Sequence, residues 1–226
     1  MSNFFEFLFN LIDLYHQKKI CNFYRKYEID FLIDCGAHKG EFLKSMQPLN
    51  LKKYFAIEPQ KNVFEILKSN FLSNKKIVFF NIACSTKKGF TNFYINYLSS
   101  TSSLLKPNSK SFYMIFKKIL LGGKLIKKNI KVKTDTIDNI LFKKISFYKC
   151  GILKIDVEGA ELHVLRGSLD LLKSKKILFV QVENQHFNKS KNYEINLLLN
   201  QYNYKKIRTI TYPTLHFSDQ IYLLIR

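Results

Sequence analysis

Apolar residues recur along this chain in short runs, separated by stretches with helical spacing. Strand-like runs fall at 29–34, 53–58, 76–82, 150–156 and 176–183. Residues 60–72 place Phe64, Leu67 and Phe71 at helical spacing, and 159–173 do the same with Leu162, Leu165 and Leu169. Such alternation predicts parallel strands joined by crossover helices, hence a three-layer α/β sandwich. The chain ends differently: "YKKIRTITY" and "IYLLIR" are strand patterns separated only by "PTLHFSDQ", too short for a crossover helix. They are expected to pair as an antiparallel hairpin.

Two segments stand outside this alternation. Residues 84–149 form an insertion with an expected hairpin at 90–96, a Ser/Thr-rich loop "LSSTSSLL" at 98–105, and a basic stretch containing Gly-Gly. The loop reads either as a surface connection or as a lid over substrate. At the N-terminus, "NFFEFLFNLIDLYHQKK" sets a polar stripe of Glu6, Asn10, Asp13 and Gln17 opposite Phe4, Phe5, Leu8, Leu11, Ile12 and Tyr15. It has neither a basic start nor a small-residue cleavage site, so it is not read as a signal peptide. The reading favoured is a helix packed on the domain or covering a ligand site. The competing one is an interfacial helix whose Lys18, Lys19, Arg25 and Lys26 touch anionic lipid, a peripheral membrane contact through residues 1–26. The expected organisation is a helix or cap at 1–28, then one domain at 29–226 interrupted at about 84–149.

Composition narrows the class only slightly. Hydrophobic residues make up 46% of the 226 and charged residues 24%, which suits a globular domain and argues against disorder. The formal net charge of +20 implies attraction to polyanions. The excess is nearly all lysine, with Arg25, Arg166, Arg208 and Arg226 the only arginines, alongside abundant Asn, Ile and Phe. That mixture is what an A/T-rich coding sequence produces, so the charge weighs less as a functional sign. Cys21, Cys35, Cys84 and Cys150 are scattered without zinc spacing, as expected of reduced thiols in a cytoplasmic protein. No run is long and apolar enough to span a bilayer.

Chemistry gathers at the strand ends. Asp34 ends the first run, Glu58 the second, Asp156 the fourth and Glu183 the fifth. Ligands of open α/β sheets sit at the carboxyl ends of the strands, so these four acids are expected around one crevice. The first run continues into "DCGAHKG", with Gly36 and Gly40 four apart. A pyrophosphate-binding loop wants a further glycine where this chain has His38. Glu58 follows at the spacing suited to ribose hydroxyls. A nucleoside without pyrophosphate, carrying a charged amino-acid tail, therefore fits better than a dinucleotide.

The blocks "FLIDCGAHKGEF", "YFAIEPQKNVFEILKSN", "NIACSTKKGFTNFYI", "VKTDTIDNI" and "GILKIDVEGAELHVLRGS" follow the order seen in FkbM-type S-adenosylmethionine-dependent methyltransferases. The chain resembles that family over roughly residues 29–184, departing from it at His38, where the family usually has Asn. The resemblance implies a class I, Rossmann-like methyltransferase fold: a three-layer α/β sandwich whose mostly parallel seven-stranded sheet ends in an antiparallel hairpin. It also implies S-adenosylmethionine as cofactor. Asp34, Gly36, Ala37 and Gly40 would surround its methionine part, with His38 also among the cofactor-binding residues. Glu58 would bind its ribose, Pro59 would shape the turn beside it, and Asn81, Ile82 and Ala83 would border its adenine. Asp156 would lie near the sulfonium.

The resemblance further implies O-methylation of a hydroxyl on a sugar, a surface-glycan precursor or a glycolipid; the basic composition, separately, would suit an acidic acceptor. Asp156, Glu158 and Glu183 are the candidate general bases, with His163 read rather as a helix-surface histidine. Glu158 alternatively caps the helix expected from Gly159. A divalent cation on Asp156, Glu158, Glu183 and Asn184 is not required by the resemblance, and none is expected. Nucleic-acid methylation is the runner-up, prompted by charge, and nucleic acid is not the expected partner. Prolines occur only at 48, 59, 107 and 213, so Pro-Pro and Pro-Cys motifs are absent, and Glu183 stands where ribose 2′-O enzymes carry Lys. A non-catalytic nucleoside- or lipid-binding module is the third reading, disfavoured by Asp34, Glu58 and Asp156.

Overall fold

The computed structural model describes residues 2–96, 102–105, 126–185, 189–213 and 217–225, excepting the side chains of residues 2–10 and Gln185. In chain order, the strands are β1 (Phe31–Cys35), β2 (Lys53–Ile57), β3 (Ile77–Phe80), β4 (Ala83–Cys84), β5 (Gly89–Asn96), β6 (Ile126–Asp135), β7 (Gly151–Ile155), β8 (Ile177–Gln185), β9 (Tyr204–Thr211) and β10 (Phe217–Leu224). The helices used below are α1 (Ser2–Tyr24), α2 (Glu41–Met46), α3 (Lys61–Asn70), α4 (Ile137–Leu141), α5 (Glu161–Arg166), α6 (Leu169–Lys173) and α7 (Lys189–Gln201).

Seven strands form one sheet in the order β3-β2-β1-β7-β8-β10-β9. The pairs from β3 through β8 are parallel, while β10 runs antiparallel to both β8 and β9. Because helices cover both faces, β1 and β7 are buried at every position and apolar at nearly all of them, Asp34 and Lys154 being the charged exceptions. On one face Ile33, Leu153, Val180 and Val182 pack with α4 to α7; on the other, Leu32, Ile152, Phe179 and Ile221 pack with α1, α2 and α3. The strand order reverses between β1 and β7, which opens a crevice at their carboxyl ends.

The insertion builds a second sheet in the order β4-β6-β5. Residues 90–96, expected as a hairpin, instead belong to the single strand β5, whose antiparallel partner is β6. The run is rich in strand-favouring Phe, Tyr, Thr and Ile and has no Gly or Pro after Gly89, so it stays extended and pairs with a partner thirty or more residues away. Residues 98–101 of the Ser/Thr-rich loop lie outside the described residues. Its last part does not: Ser102 and Ser103 are buried, and Ser103 bridges Tyr94.

The helical pattern at 159–173 also resolves differently, into α5 and α6 broken at Gly167. A Cβ there would lie 2.1 Å from the Ser85 carbonyl oxygen, so this glycine lets the helix end press against the start of the insertion. α1 docks by one stripe only: Ile20, Cys21 and Tyr24 are buried, and His16 is 4% exposed. All four cysteines are free.

Gly167→Ala should lower the unfolding free energy by about 2–3 kcal/mol, because backbone rather than a flexible side chain must yield. A urea titration with an unchanged midpoint would contradict this packing.

Candidate active site

β1 delivers Asp34 and β7 delivers Lys154 to the sheet face covered by α2, and both side chains are buried. The Lys154 ammonium lies 3.0 Å from Asp34 Oδ1 and 3.2 Å from Asp156 Oδ2, and 5.1 Å from the centre of the Phe42 ring. Burial works against the charge on Lys154, yet Asp156 and Asp34 outweigh it and raise its pKa. Burial also raises the Asp34 carboxyl, with Lys154 pulling it back. Two carboxylates facing one ammonium leave this end of the crevice short of positive charge.

The loops after β1 and β7 touch. A Cβ on Gly36, whose φ is +84°, would stand 1.8 Å from the Asp156 carbonyl oxygen. The Gly36 and Ala37 amides both donate to the Ile57 carbonyl at 3.0 Å, which folds the turn towards β2. His38 sits at φ 47°, in the left-handed region that Asn, Asp and His tolerate better than other side chains. That requirement gives a physical reason for histidine to replace asparagine here. Its amide donates to Glu58 Oε2 at 3.1 Å, while its ring is 3.3 Å from Glu41. Gly40 serves packing: a Cβ there would meet the Phe71 ring at 2.3 Å.

Glu58 accepts a second amide, from Gln60, at 2.8 Å on Oε1. Burial pushes its carboxyl up to about 7 despite those two bonds. Each oxygen keeps an unused lone pair, so the ionised group can receive two further hydroxyl donors.

A cavity of about 510 Å³, open to solvent, joins these parts. Gly36, His38, Glu58, Pro59, Ile82, Ala83, Asp156 and Glu158 all line it. Among the other positions expected at the site, Asp34 and Ala37 are buried behind the cavity wall and Gly40 faces α3. Asn81 instead ties the turn after β2, donating to the carbonyls of Glu58 at 2.9 Å and Pro59 at 3.1 Å.

Several lining residues were not singled out from the sequence: Ile57, Gln60, Cys84, Phe93, Ser102 and Leu104. Phe93, Ser102 and Leu104 come from the insertion, and no local pattern announces which of its residues turn inward. Lys154 was missed as well. Its signal was a lone lysine inside the buried run "GILKID", where an unpaired ammonium would not survive.

Asp156, Glu158 and Glu183 converge beside the cavity, with carboxylate oxygens within 4.8 Å of one another. Burial raises the Glu183 carboxyl well above the usual range, and Asp156, Glu158, Asp219 and Glu161 push it further. Glu158 lies at φ 53° and gives no side-chain cap to α5, which starts two residues later than expected. Glu161 instead accepts the Gly159 amide at 2.8 Å and pairs with Lys191 at 2.6 Å, pinning this loop to α7. His163 lies half-buried on α5 and outside the cavity lining.

Solved methyltransferase structures share the fold. A Leishmania major S-adenosylmethionine-dependent methyltransferase superposes with a TM-score of 0.50 at 13% identity, covering 96% of this chain and 72% of that one. A Pyrococcus horikoshii protein proposed to be an RNA methyltransferase also scores 0.50, at 10% identity, covering 93% and 84%. The fold is therefore that of the class I methyltransferases. Residues 34–206 match the methyltransferase FkbM domain, and the chain belongs to that family. It is a methyltransferase, and its cofactor is S-adenosylmethionine. No curated protein matches the chain.

Lys154→Met should destabilise the fold by about 3–5 kcal/mol at neutral pH, since it strands the buried Asp34 carboxylate. The loss should shrink in acid as Asp34 takes up a proton, so paired denaturation curves at neutral and acid pH test it.

Proposed function

We propose that this methyltransferase acts on a hydroxyl of a sugar, surface-glycan precursor or glycolipid, with Glu183 as general base and Asp156 and Glu158 beside it. The observation carrying this reading is the raised Glu183 carboxyl within the acid cluster, next to the cavity. An alcohol must lose its proton near the transition state, and a carboxylate whose proton affinity is raised above the ordinary carboxylate range is a stronger base to receive it. The cavity also fits the cofactor. Glu58 offers free lone pairs for ribose hydroxyls, and the walls at Ile57, Ile82, Ala83, Phe93 and Leu104 suit an adenine ring. The excess carboxylate around Lys154 suits a cationic sulfonium and amine.

S-adenosylmethionine supplies an activated methyl group on a positively charged sulfur, open to direct displacement by the acceptor oxygen. Glu58 and the Gly36–His38 turn hold and orient. Asp156 faces the positive charge, and the Glu161–Lys191 pair keeps Glu158 in place. Glu183 takes the hydroxyl proton as the new oxygen–carbon bond forms and returns it to water. Acids at this end disfavour a phosphate backbone close to the reacting atom, which supports glycan over RNA despite the basic exterior.

Incubation with S-adenosylmethionine and glycans or glycolipids from a strain lacking this protein tests the reading by mass spectrometry. A gain of one CH₂ on a hydroxyl is expected. Methylation confined to added RNA would overturn it.

Two quantitative outcomes follow from the carboxylates. Glu58→Ala should weaken cofactor affinity roughly a hundredfold by calorimetry, the loss of two hydrogen bonds to a charged acceptor. Only ionised Glu58 accepts both hydroxyls, so wild-type affinity should fall as pH drops below about 7, and that dependence should vanish in the variant. Glu183→Gln should reduce kcat at least about a hundredfold while leaving cofactor affinity nearly unchanged. In the wild type kcat should rise with pH as Glu183 ionises.

A further inference from the structure

α1 is held to the domain by a chain of buried polar contacts. His16 Nε2 lies 2.6 Å from Asp219 Oδ2, Gln181 donates to the other Asp219 oxygen at 2.7 Å, and Tyr24 donates to Gln181 at 2.9 Å. Tyr212 adds a hydrogen bond to Asp13. These contacts fix which side of the helix faces outward. They also fix its direction: Tyr24 meets β8 at Gln181, whereas His16 meets Asp219, the cross-strand partner of Glu183. Asp13 at Tyr212, just after β9, continues this course, so the N-terminal half of α1 runs towards the carboxyl ends of β8 and β9 on the β9 side of the sheet. From His16 back to Ser2 the helix is about 20 Å long at the rise of an α-helix.

The outward stripe carries an unusual combination. Leu11, Leu14 and Tyr15 are 46%, 60% and 56% exposed, one helical turn apart. The next turns expose Lys18, Lys19, Arg25 and Lys26, and Lys19 lies over the Tyr15 ring at 4.4 Å. The edge strand β9 alongside exposes Lys205, Lys206 and Arg208. The only acid in α1 from residue 11 onward, Asp13, is engaged by Tyr212.

We propose that this face docks on an anionic lipid bilayer, with Leu11, Leu14 and Tyr15 entering the interface and the flanking lysines and arginines meeting the headgroups. Charge complementarity selects the occupant. A phosphate–sugar polymer satisfies the lysines but gives the two leucines nothing to bury against. An apolar protein groove takes the leucines but leaves the lysines unpaired. An interface of acyl chains under anionic headgroups satisfies both at once. No helix among the described residues is long and apolar enough to cross a membrane, so the contact is peripheral. This surface is independent of which hydroxyl the enzyme methylates.

The chain contains no tryptophan, so Tyr15→Trp places a single reporter on the proposed surface. With the full chain and vesicles of phosphatidylcholine plus phosphatidylglycerol, its emission should shift to the blue and be quenched by brominated lipid. Phosphatidylcholine vesicles alone should leave it unchanged. In flotation of the otherwise unaltered chain, Leu11→Gln/Leu14→Gln and Lys18→Glu/Lys19→Glu should each reduce vesicle binding roughly tenfold. Lys75→Glu/Lys144→Glu, with the same charge change elsewhere, should not. The proposal fails if the reporter does not shift on anionic vesicles, if phosphatidylcholine alone binds as well, or if the distant charge reversal matches the loss at Lys18 and Lys19. If the α1 variants fail to fold, the reporter's response to lipid charge decides alone.

Discussion

One buried ammonium holds the functional end of this protein together. Lys154 is flanked by Asp34 and Asp156 within 3.2 Å and has no access to bulk water to replace them. Taking an ion pair out of water carries a large desolvation cost, and removing either member leaves the other buried and uncompensated. The carboxyl ends of β1 and β7 are thus tied across the point where the strand order reverses. The tie also leaves a carboxylate in excess, which turns the crevice into a site for positive charge inside a chain of net charge +20. The exterior and the crevice therefore carry opposite charge.

The backbone around this tie is shaped for close approach. Gly36 permits a contact with the Asp156 carbonyl that no side chain would allow, and His38 and Glu158 both adopt left-handed conformations in the two loops that meet there. Such conformations persist only when surrounding bonds over-determine them. Here the amide of His38 is taken by Glu58, and the loop of Glu158 is pinned through Gly159, Glu161 and Lys191. The same bonds that relieve the loops aim their carboxylates at the cavity. The insertion completes the enclosure, since Phe93 and Leu104 close the apolar side and Ser103 donates to the Val157 carbonyl at 3.3 Å.

Much of this was legible in the residues themselves. Period-two and continuous apolar runs located β1, β2, β3, β7 and β8 because a parallel strand buried on both faces must be apolar at nearly every position. The eight residues between the last two strand patterns excluded a crossover helix and so required antiparallel pairing; the strands themselves are closer still, with β10 beginning at Phe217. Acids at strand ends marked the crevice because an open sheet has only one edge where such ends converge. Local patterns failed where a distant atom decides. The break at Gly167 depends on the Ser85 carbonyl, and β5 depends on β6 across the insertion.

The sequence by itself determined the layer architecture and the acids at the strand ends, because burial pattern and spacing encode them directly, and its ordered blocks carried the resemblance to the family. It left open whether α1 caps the domain or meets another phase. Only the tertiary structure decided that His16 and Tyr24 turn inward to Asp219 and Gln181 while Leu14 and Tyr15 turn out. It alone placed Asn81 on the turn rather than in the cavity, and Lys154 between two carboxylates. These are relations between atoms far apart in the chain. An amphipathic pattern can fix the existence of a face, but the partner of that face is set by the rest of the fold.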